Sequence, residues 1–361
     1  MHNLLDERSI IVLGAGATKA FLPAAPLAED DYNAQHLSDQ FRGFPYAYKL
    51  LESERHRYSN RKINVEQLMT RLQGRMPYDS SDAIAQQSLL LSELMREFQR
   101  KIAFARQKEF HKDELAAFAK ACLNKSITCI TFNYDDVLDQ ALWEVKPLQR
   151  GNPFHMHPKH WHPDGGYGFF ARPSSVAVHD KAQHMNTTSM LLLKLHGSIN
   201  WYPRKGERPP YKLNALHHDE DWFNSDPDEL PVVQEMIARH FEPDPFIIPP
   251  VLDKTALSNE PVLQVIWSLA KKALSQASRV YFVGYSMPVT DMAAIFLFNE
   301  SLEDRSHIIR VINLATDDEG KEQIRLAYRK AFPKLSEEQF EFDGALKWAQ
   351  QVCVMEGNNE A

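Results

Sequence analysis

The run Ile10-Ile11-Val12-Leu13-Gly14-Ala15-Gly16-Ala17-Thr18-Lys19-Ala20-Phe21 constrains the fold of this chain more than any other stretch. Four consecutive apolar residues suit a strand buried on both faces of a parallel sheet. The glycines at 14 and 16 permit a tight turn, and the residues after them open a helix. A strand, glycine turn and helix in this order expose backbone N–H groups at the helix start, where an anion such as a phosphate is favoured. The dinucleotide fingerprint G-x-G-x-x-G would put its third glycine where Lys19 stands. No second strand ends in an acidic residue at the expected distance either, which weakens a hydride-transfer reading.

With 361 residues, 43% hydrophobic and 25% charged, the chain can form one large α/β domain or two ordinary ones. A formal net charge of -7 argues against a surface built to bind nucleic acid directly. The three cysteines, Cys122, Cys129 and Cys353, contain no C-x-x-C spacing. They cannot build a disulfide framework or a cysteine zinc ribbon, and they suit a reducing, cytoplasmic location. Residues 1–9 carry Asp6, Glu7 and Arg8 and do not read as a secretory leader, and no apolar run reaches membrane-spanning length.

Past the glycine turn, Leu22-Pro23-Ala24-Ala25-Pro26-Leu27 reads as an extended loop able to cover a ligand. A helical insertion is expected over 28–124. Its apolar stripes, Ile84, Leu91, Leu94, Met95, Phe98 and Ile102, then Leu115, Phe118, Ala119 and Cys122, have the spacing of helix faces packed into a core. Ser126 to Thr131 is a second strand, and it delivers Phe132-Asn133-Tyr134-Asp135-Asp136 to its carboxyl end. Ligands of open parallel sheets bind at that edge, so Asn133 and Asp135 are candidate site residues, with helix capping as the alternative role.

Residues 151–186 and 203–245 read as long irregular loops. The first holds His155, His157, His160 and His162, but Pro158 and Pro163 break the helical spacing that would align two imidazoles on a metal. The second has an acidic run around His218 and one short helical pattern at 232–241. Ser189 to Leu195 is a third buried strand, and it presents His196-Gly197 at the same edge. A strand-end histidine titrating near neutrality is a general-base candidate.

Phe246 to Pro250 is expected as a short strand and Pro261 as the first residue of a helix. Arg279 to Val283 is a strand ending in Gly284-Tyr285-Ser286, followed by a helix from about Asp291 to Leu302. Ile308 to Leu314 is the last strand. Capping boxes are expected at Thr316–Glu319 and Ser336–Gln339. Strands alternating with helices in this manner predict a doubly wound parallel α/β sheet.

In order along the chain, Gly14 to Thr18, Thr131 to Asp135, Leu195-His196-Gly197, Gly284-Tyr285-Ser286 and Ile312-Asn313 resemble the motifs of sirtuins. Within that group the chain more closely resembles the sirtuin-like domains of bacterial antiviral-defence NADases, notably over Phe246 to Pro250 and Val280 to Asp291. The resemblance implies a Rossmann-like sheet that binds NAD as substrate. It implies that Gly14, Ala15, Gly16 and Thr18 cradle the pyrophosphate and that Gly284, Ser286 and Asn313 hold the adenosine half. Asn133 and Asp135 would lie beside the nicotinamide ribose, and His196 would engage its hydroxyls. Phe132 stands where sirtuin deacylases usually have glutamine, and the four-cysteine zinc module is missing.

The leading expectation is therefore hydrolysis of NAD to nicotinamide and ADP-ribose by the effector of an antiphage system, with no bound zinc. A deacylase or ADP-ribosyl transferase would share the first half of that reaction but needs an acceptor groove. A nucleotide-sensing or scaffold subunit is the third alternative. An unrestrained NADase would deplete an essential cofactor. Restraint is expected through homo-oligomerisation or a partner, for which the resemblance suggests a ring-forming translocase-type ATPase.

Overall fold

The protein is described from a computed structural model covering residues 5–58, 62–74, 76–145, 161, 163–169, 190–206, 213–215, 235, 239, 241–242, 244–248, 260–288, 291–302 and 304–357. The histidines at 155, 157, 160 and 162, the acidic run around His218 and Pro249-Pro250 lie outside the described residues, as does most of the helical pattern at 232–241.

Strand β1 (Ser9–Leu13) runs into α1 (Ala15–Phe21). The antiparallel pair β2 (Glu29–Asp30) and β3 (Ile63–Asn64) brackets α2 (Ala34–Gln40) and α3 (Pro45–Tyr58). Helices α4 (Val65–Gln73), α5 (Ser81–Arg106) and α6 (Lys112–Asn124) then lead to β4 (Thr128–Thr131). After α7 (Val137–Glu144) and the single turn α8 (Pro163–Gly166) come β5 (Leu192–Lys194) and the antiparallel pair β6 (Trp201–Pro203) and β7 (Leu213–Ala215). The remainder is α9 (Pro261–Gln276), β8 (Arg279–Val283), α10 (Met292–Leu302), β9 (Ile309–Ile312), α11 (Asp318–Ala331), β10 (Phe340–Glu341) and α12 (Ala345–Gly357).

Six strands form one parallel sheet in the order β10-β9-β8-β1-β4-β5. The chain builds outward from β1 to β5, then returns and builds outward from β8 on the other side, which is the doubly wound arrangement read from the sequence. The crevice of such a sheet lies where the winding reverses, here between β1 and β8. The strand ends are level: Leu13 pairs with Thr131 and Val283, Thr131 with Lys194, and Val283 with Ile312. Gly14, Phe132, Leu195, Gly284 and Asn313 consequently leave the sheet along a single edge.

Successive residues of a strand face opposite sides of its sheet, and β8 shows both. Tyr281 packs on Trp348 of α12, whose other neighbour is Phe118 of α6. Phe282 packs on Phe298 of α10 and on Tyr328 of α11. Every residue of β1 is buried, as its unbroken apolar run requires.

Helices α2 to α5 pack among themselves, whereas α6 packs on α1, α7 and α12 in the layer that flanks the sheet. The stripes at Leu94, Met95 and Ile102 of α5 and at Leu115, Phe118, Ala119 and Cys122 of α6 are buried, as their spacing predicts. Helix α5 meets the sheet edge through a buried ion pair between Arg106 and Asp136, and through Gln99 Nε2, which donates to Tyr202 Oη at 2.7 Å.

Three local expectations are corrected. Ile308 to Leu314 is not the last strand, for β10 pairs parallel with β9, Phe340 with Val311 and Glu341 with Ile312, and at two residues it has no apolar run to read. Phe246 to Ile248 is no strand but a strap across the turn after β5. Phe246 N–H donates to Trp201 O at 2.7 Å, Ser198 N–H to Phe246 O at 3.0 Å and Ile248 N–H to His196 O at 2.9 Å, and only one bridge, Gly197 with Ile247, has strand geometry. At α11 the cap is Asp317, whose carboxylate accepts from Gly320 N–H at 2.7 Å, in place of Thr316. Asp317 stands immediately before α11, so its carboxylate meets the third N–H of the helix, where Gly320 stands in place of the glutamate of a capping box. Pro261 does occupy the first turn of α9.

The glycine turns at the switch point touch backbone to backbone. A Cβ on Gly284, where φ is +60°, would lie 2.1 Å from Ala17 N, and one on Gly14 would lie 2.5 Å from Gly284 O. Gly284→Ala is expected to destabilise the fold by about 2 kcal/mol or more, since neither backbone can yield. Urea unfolding measures this, and a loss under about 0.5 kcal/mol would contradict the close-contact account.

Candidate active site

A cleft of about 1110 Å³ opens along the carboxyl edge of the sheet. Its walls bring together Gly14, Ala15, Gly16, Asn133 and His196, and Gly284, Ser286 and Asn313 complete the far side. Of the residues singled out from sequence, Thr18 and Asp135 do not line it; they lie behind Asn133, where they border a smaller chamber.

The glycine turn differs from the expected open cradle. Gly14 N–H donates to Val283 O at 3.1 Å and Gly16 N–H to Gly284 O at 2.9 Å. Two of the N–H groups expected to face a ligand are thus engaged in holding β1 and β8 loops together. What the glycines supply here is close approach, the role that absence of a Cβ allows.

Thr18, Asn133 and Asp135 form a buried relay. Asp135 Oδ1 accepts from the N–H of Val137, the first residue of α7, at 3.1 Å, while Oδ2 accepts from Thr18 Oγ1 at 2.8 Å. Thr18 Oγ1 in turn accepts from Asn133 Nδ2 at 3.0 Å. The amide orientation of Asn133 is therefore set from behind by Thr18. Burial pushes the Asp135 carboxyl above its ordinary value, against the opposing pull of the Lys194 ammonium and the Thr18 hydroxyl. Lys194 is fully buried, pairs with Asp139 at 3.0 Å and donates to the Asp135 carbonyl, which anchors the loop after β4 to β5.

His196 is 2% exposed and walled by aromatic rings. Phe132 meets it edge-on at 5.3 Å between centroids, and Tyr134 and Trp267 stand at 6.3 Å. Its Nε2 lies 3.5 Å from Asp291 Oδ2, while Asp291 Oδ1 accepts from Ala294 N–H at 3.2 Å and caps α10. A carboxylate held by a helix cap against one imidazole nitrogen is a means of fixing ring orientation and stabilising the imidazolium. Gly197, with φ of +80°, makes the turn possible, for a Cβ there would lie 2.1 Å from Phe246 O. Phe132 packs against Tyr285 at 4.9 Å and closes the cleft floor.

Asn313 acts on the opposite loop. Its Nδ2 donates to Tyr285 O at 3.0 Å, which also accepts from Tyr328 Oη at 2.8 Å. Ser286 is exposed and borders both the main cleft and an adjoining groove at the start of α11. Lys19 Nζ donates to Pro23 O and Ala25 O, which ties the proline loop down beside the cleft.

Sequence reading missed Glu66 and Asp291, both on the cleft wall. Asp291 ends the Val280 to Asp291 run at a helix start, a capping position visible in the sequence. Glu66 had no such signal beyond its place in the first turn of α4, whose cap Asn64 accepts from Gln67 N–H at 3.0 Å. Burial, reinforced by the Asp291 charge, raises the Glu66 carboxyl from 4.5 to about 7.

No known family model matches the sequence, and no match to it is found among curated proteins. Among the described residues no group of three or more histidine, cysteine, aspartate or glutamate side chains is arranged to hold a metal, and no helix is long and apolar enough to cross a membrane.

The raised carboxyl of Glu66 gives a pH test. Between about pH 4.5 and 7 the folded state keeps a proton that the unfolded chain has lost, so this group's contribution to stability is full below that window and lost as pH rises through it. Glu66→Gln should remove that loss. The melting temperature of the wild type minus that of the variant is expected to fall as pH rises from ~5 to ~8, and a difference independent of pH would refute the assignment.

Proposed function

We propose that the chain is an NAD glycohydrolase that cleaves the nicotinamide–ribose bond to give nicotinamide and ADP-ribose. The observation that carries this reading is the convergence of Asn133 and the His196–Asp291 pair in one cleft at the switch point of a doubly wound sheet. Its volume of about 1110 Å³ accommodates an extended dinucleotide.

Breaking the bond develops positive charge on the ribose while nicotinamide leaves neutral. A preorganised neutral amide and a histidine backed by a carboxylate suit that change in charge. Asn133, held by Thr18, would orient a ribose hydroxyl or the attacking water without titrating. His196 would hydrogen-bond the ribose hydroxyls, and Asp291 would stabilise its protonated form. Asp135 would act through Thr18 as a positioning residue, and Asn313 through the Tyr285 carbonyl. Gly14, Ala15, Gly16, Gly284 and Ser286 would form the walls along which the pyrophosphate and adenosine lie.

The likeness to antiviral-defence NADases supports placing this activity in a cytoplasmic antiphage effector. It also supports restraint of that activity by self-assembly or by a ring-forming ATPase partner.

Replacement of either central residue provides the test. Asn133→Ala and His196→Ala are each expected to lower NAD cleavage by more than ~100-fold while the melting temperature stays within a few degrees of wild type. Chromatographic quantification of nicotinamide and ADP-ribose decides it, and turnover close to wild type would remove the residue concerned from the reaction.

A further inference from the structure

Behind Asn133 the main cleft adjoins a chamber of about 50 Å³. Ala15, Leu27, Glu66, Phe132 and Asn133 border both spaces, so the chamber opens beside the point where Asn133 meets the cleft. The volume exceeds the roughly 15 Å³ that one water needs. Its walls are otherwise apolar, from Val65, Phe98 and Ile102, apart from Thr18, Tyr32, Tyr134 and Asp135.

Three polar groups there have unused capacity. The Glu66 side chain receives no hydrogen bond from any described residue, although the first turn of α4 fixes its backbone. Tyr134 is buried, and its hydroxyl has no hydrogen-bond partner among the described residues. Asn133 uses its Nδ2 on Thr18 and keeps Oδ1. Buried polar groups are ordinarily satisfied, and a site with several such groups and room for a probe is where an ordered water belongs.

We propose that this chamber seats the attacking water of NAD hydrolysis between Asn133 and Glu66, with Glu66 as the group that takes its proton. The inference rests on the NAD-cleavage reading and assigns within it a catalytic residue from outside the sheet motifs. Tyr134 Oη donates to the water oxygen, and the water donates to Glu66 and to Asn133 Oδ1. In the step, the bond between ribose C1′ and the nicotinamide nitrogen breaks, and its electron pair stays on nicotinamide. The water oxygen bonds to C1′, one of its protons passes to the Glu66 carboxylate and then to solvent, and the products are ADP-ribose, nicotinamide and H⁺.

The surroundings suit a proton acceptor. Asp291, on the loop before α10, and burial both favour the protonated form of Glu66 and keep its carboxyl near neutrality, where a general base is most effective. Burial keeps the Tyr134 hydroxyl protonated well above its ordinary range, so it remains a donor. The other ionisable groups on these walls are Tyr32 and Asp135 in the chamber, and Tyr285, His196, Lys19, Lys62, Glu29 and Asp343 in the cleft. Lys19 is engaged by the carbonyls of Pro23 and Ala25.

Hydrolysis can be separated from bond cleavage by pyridine exchange. Replacing nicotinamide by added 3-acetylpyridine reuses the same cleavage but requires no proton to be taken from water. Glu66→Gln is expected to slow hydrolysis by ~100-fold and to leave exchange within about threefold of wild type, and Tyr134→Phe should shift the ratio in the same direction by a smaller factor. Melting temperatures establish that both variants fold, and Tyr134→Phe keeps the test decisive should Glu66→Gln not fold. Hydrolysis by Glu66→Gln within about threefold of wild type, or hydrolysis and exchange falling together, would overturn the assignment while leaving NAD cleavage intact. Wild-type protein that gives neither reaction would instead overturn the NAD-cleavage reading, and the water site with it.

Discussion

Backbone-to-backbone contact between the β1 and β8 turns governs the rest of the molecule. Gly16 N–H reaches Gly284 O at 2.9 Å, and no side chain fits between the two turns. This contact brings the two halves of the winding together and leaves the crevice to form to either side of it. The Asn133 and His196 loops descend from one half, and the Ser286 and Asn313 loops from the other. A single Cβ at the contact would push both loops apart, so the glycines set the width of the cleft even though two of their N–H groups are engaged within the protein.

Burial of charge is the second constraint. Lys194 and Asp139 lie in the core beneath the β4 loop, and Asp135 stands beside them with its carboxyl shifted upward by burial. Such groups cost desolvation energy that only good geometry and further hydrogen bonds offset, so their partners are fixed closely. Here the fixed partners are Thr18 and, through it, Asn133. The stiffness of one cleft residue is thus traced to a carboxylate that does not reach the cleft.

Five strands of the sheet, β1, β4, β5, β8 and β9, were legible because they are largely apolar or β-branched runs that end at a glycine or polar group, whereas β10, two residues long, has no such run. Asn133, His196 and Asn313 could be found for the same reason: they follow strand ends at a fixed short distance. Thr18 and Asp135 sit close by in sequence, yet their side chains turn to each other, a matter of rotamer and burial that one-dimensional spacing does not encode. Glu66 was out of reach for a different reason. It comes from α4, far from the sheet in sequence, and its proximity to Asp291 depends on how α2 to α5 pack. Phe246 to Ile248 has strand-like residues, but its backbone partners are the turn after β5 and the first residue of β6, with one isolated bridge and no ladder, so propensity misassigned it.

In the proposed reaction the switch-point cleft binds NAD with its reactive bond between Asn133 and His196. Co-crystallisation of the His196→Ala variant with NAD tests this most directly. The expected result is an intact dinucleotide along the β1 and β8 turns, with the nicotinamide ribose beside Asn133 and the adenosine toward Ser286 and Asn313. NAD bound at another surface, or in the cleft with its nicotinamide ribose remote from Asn133, would contradict it.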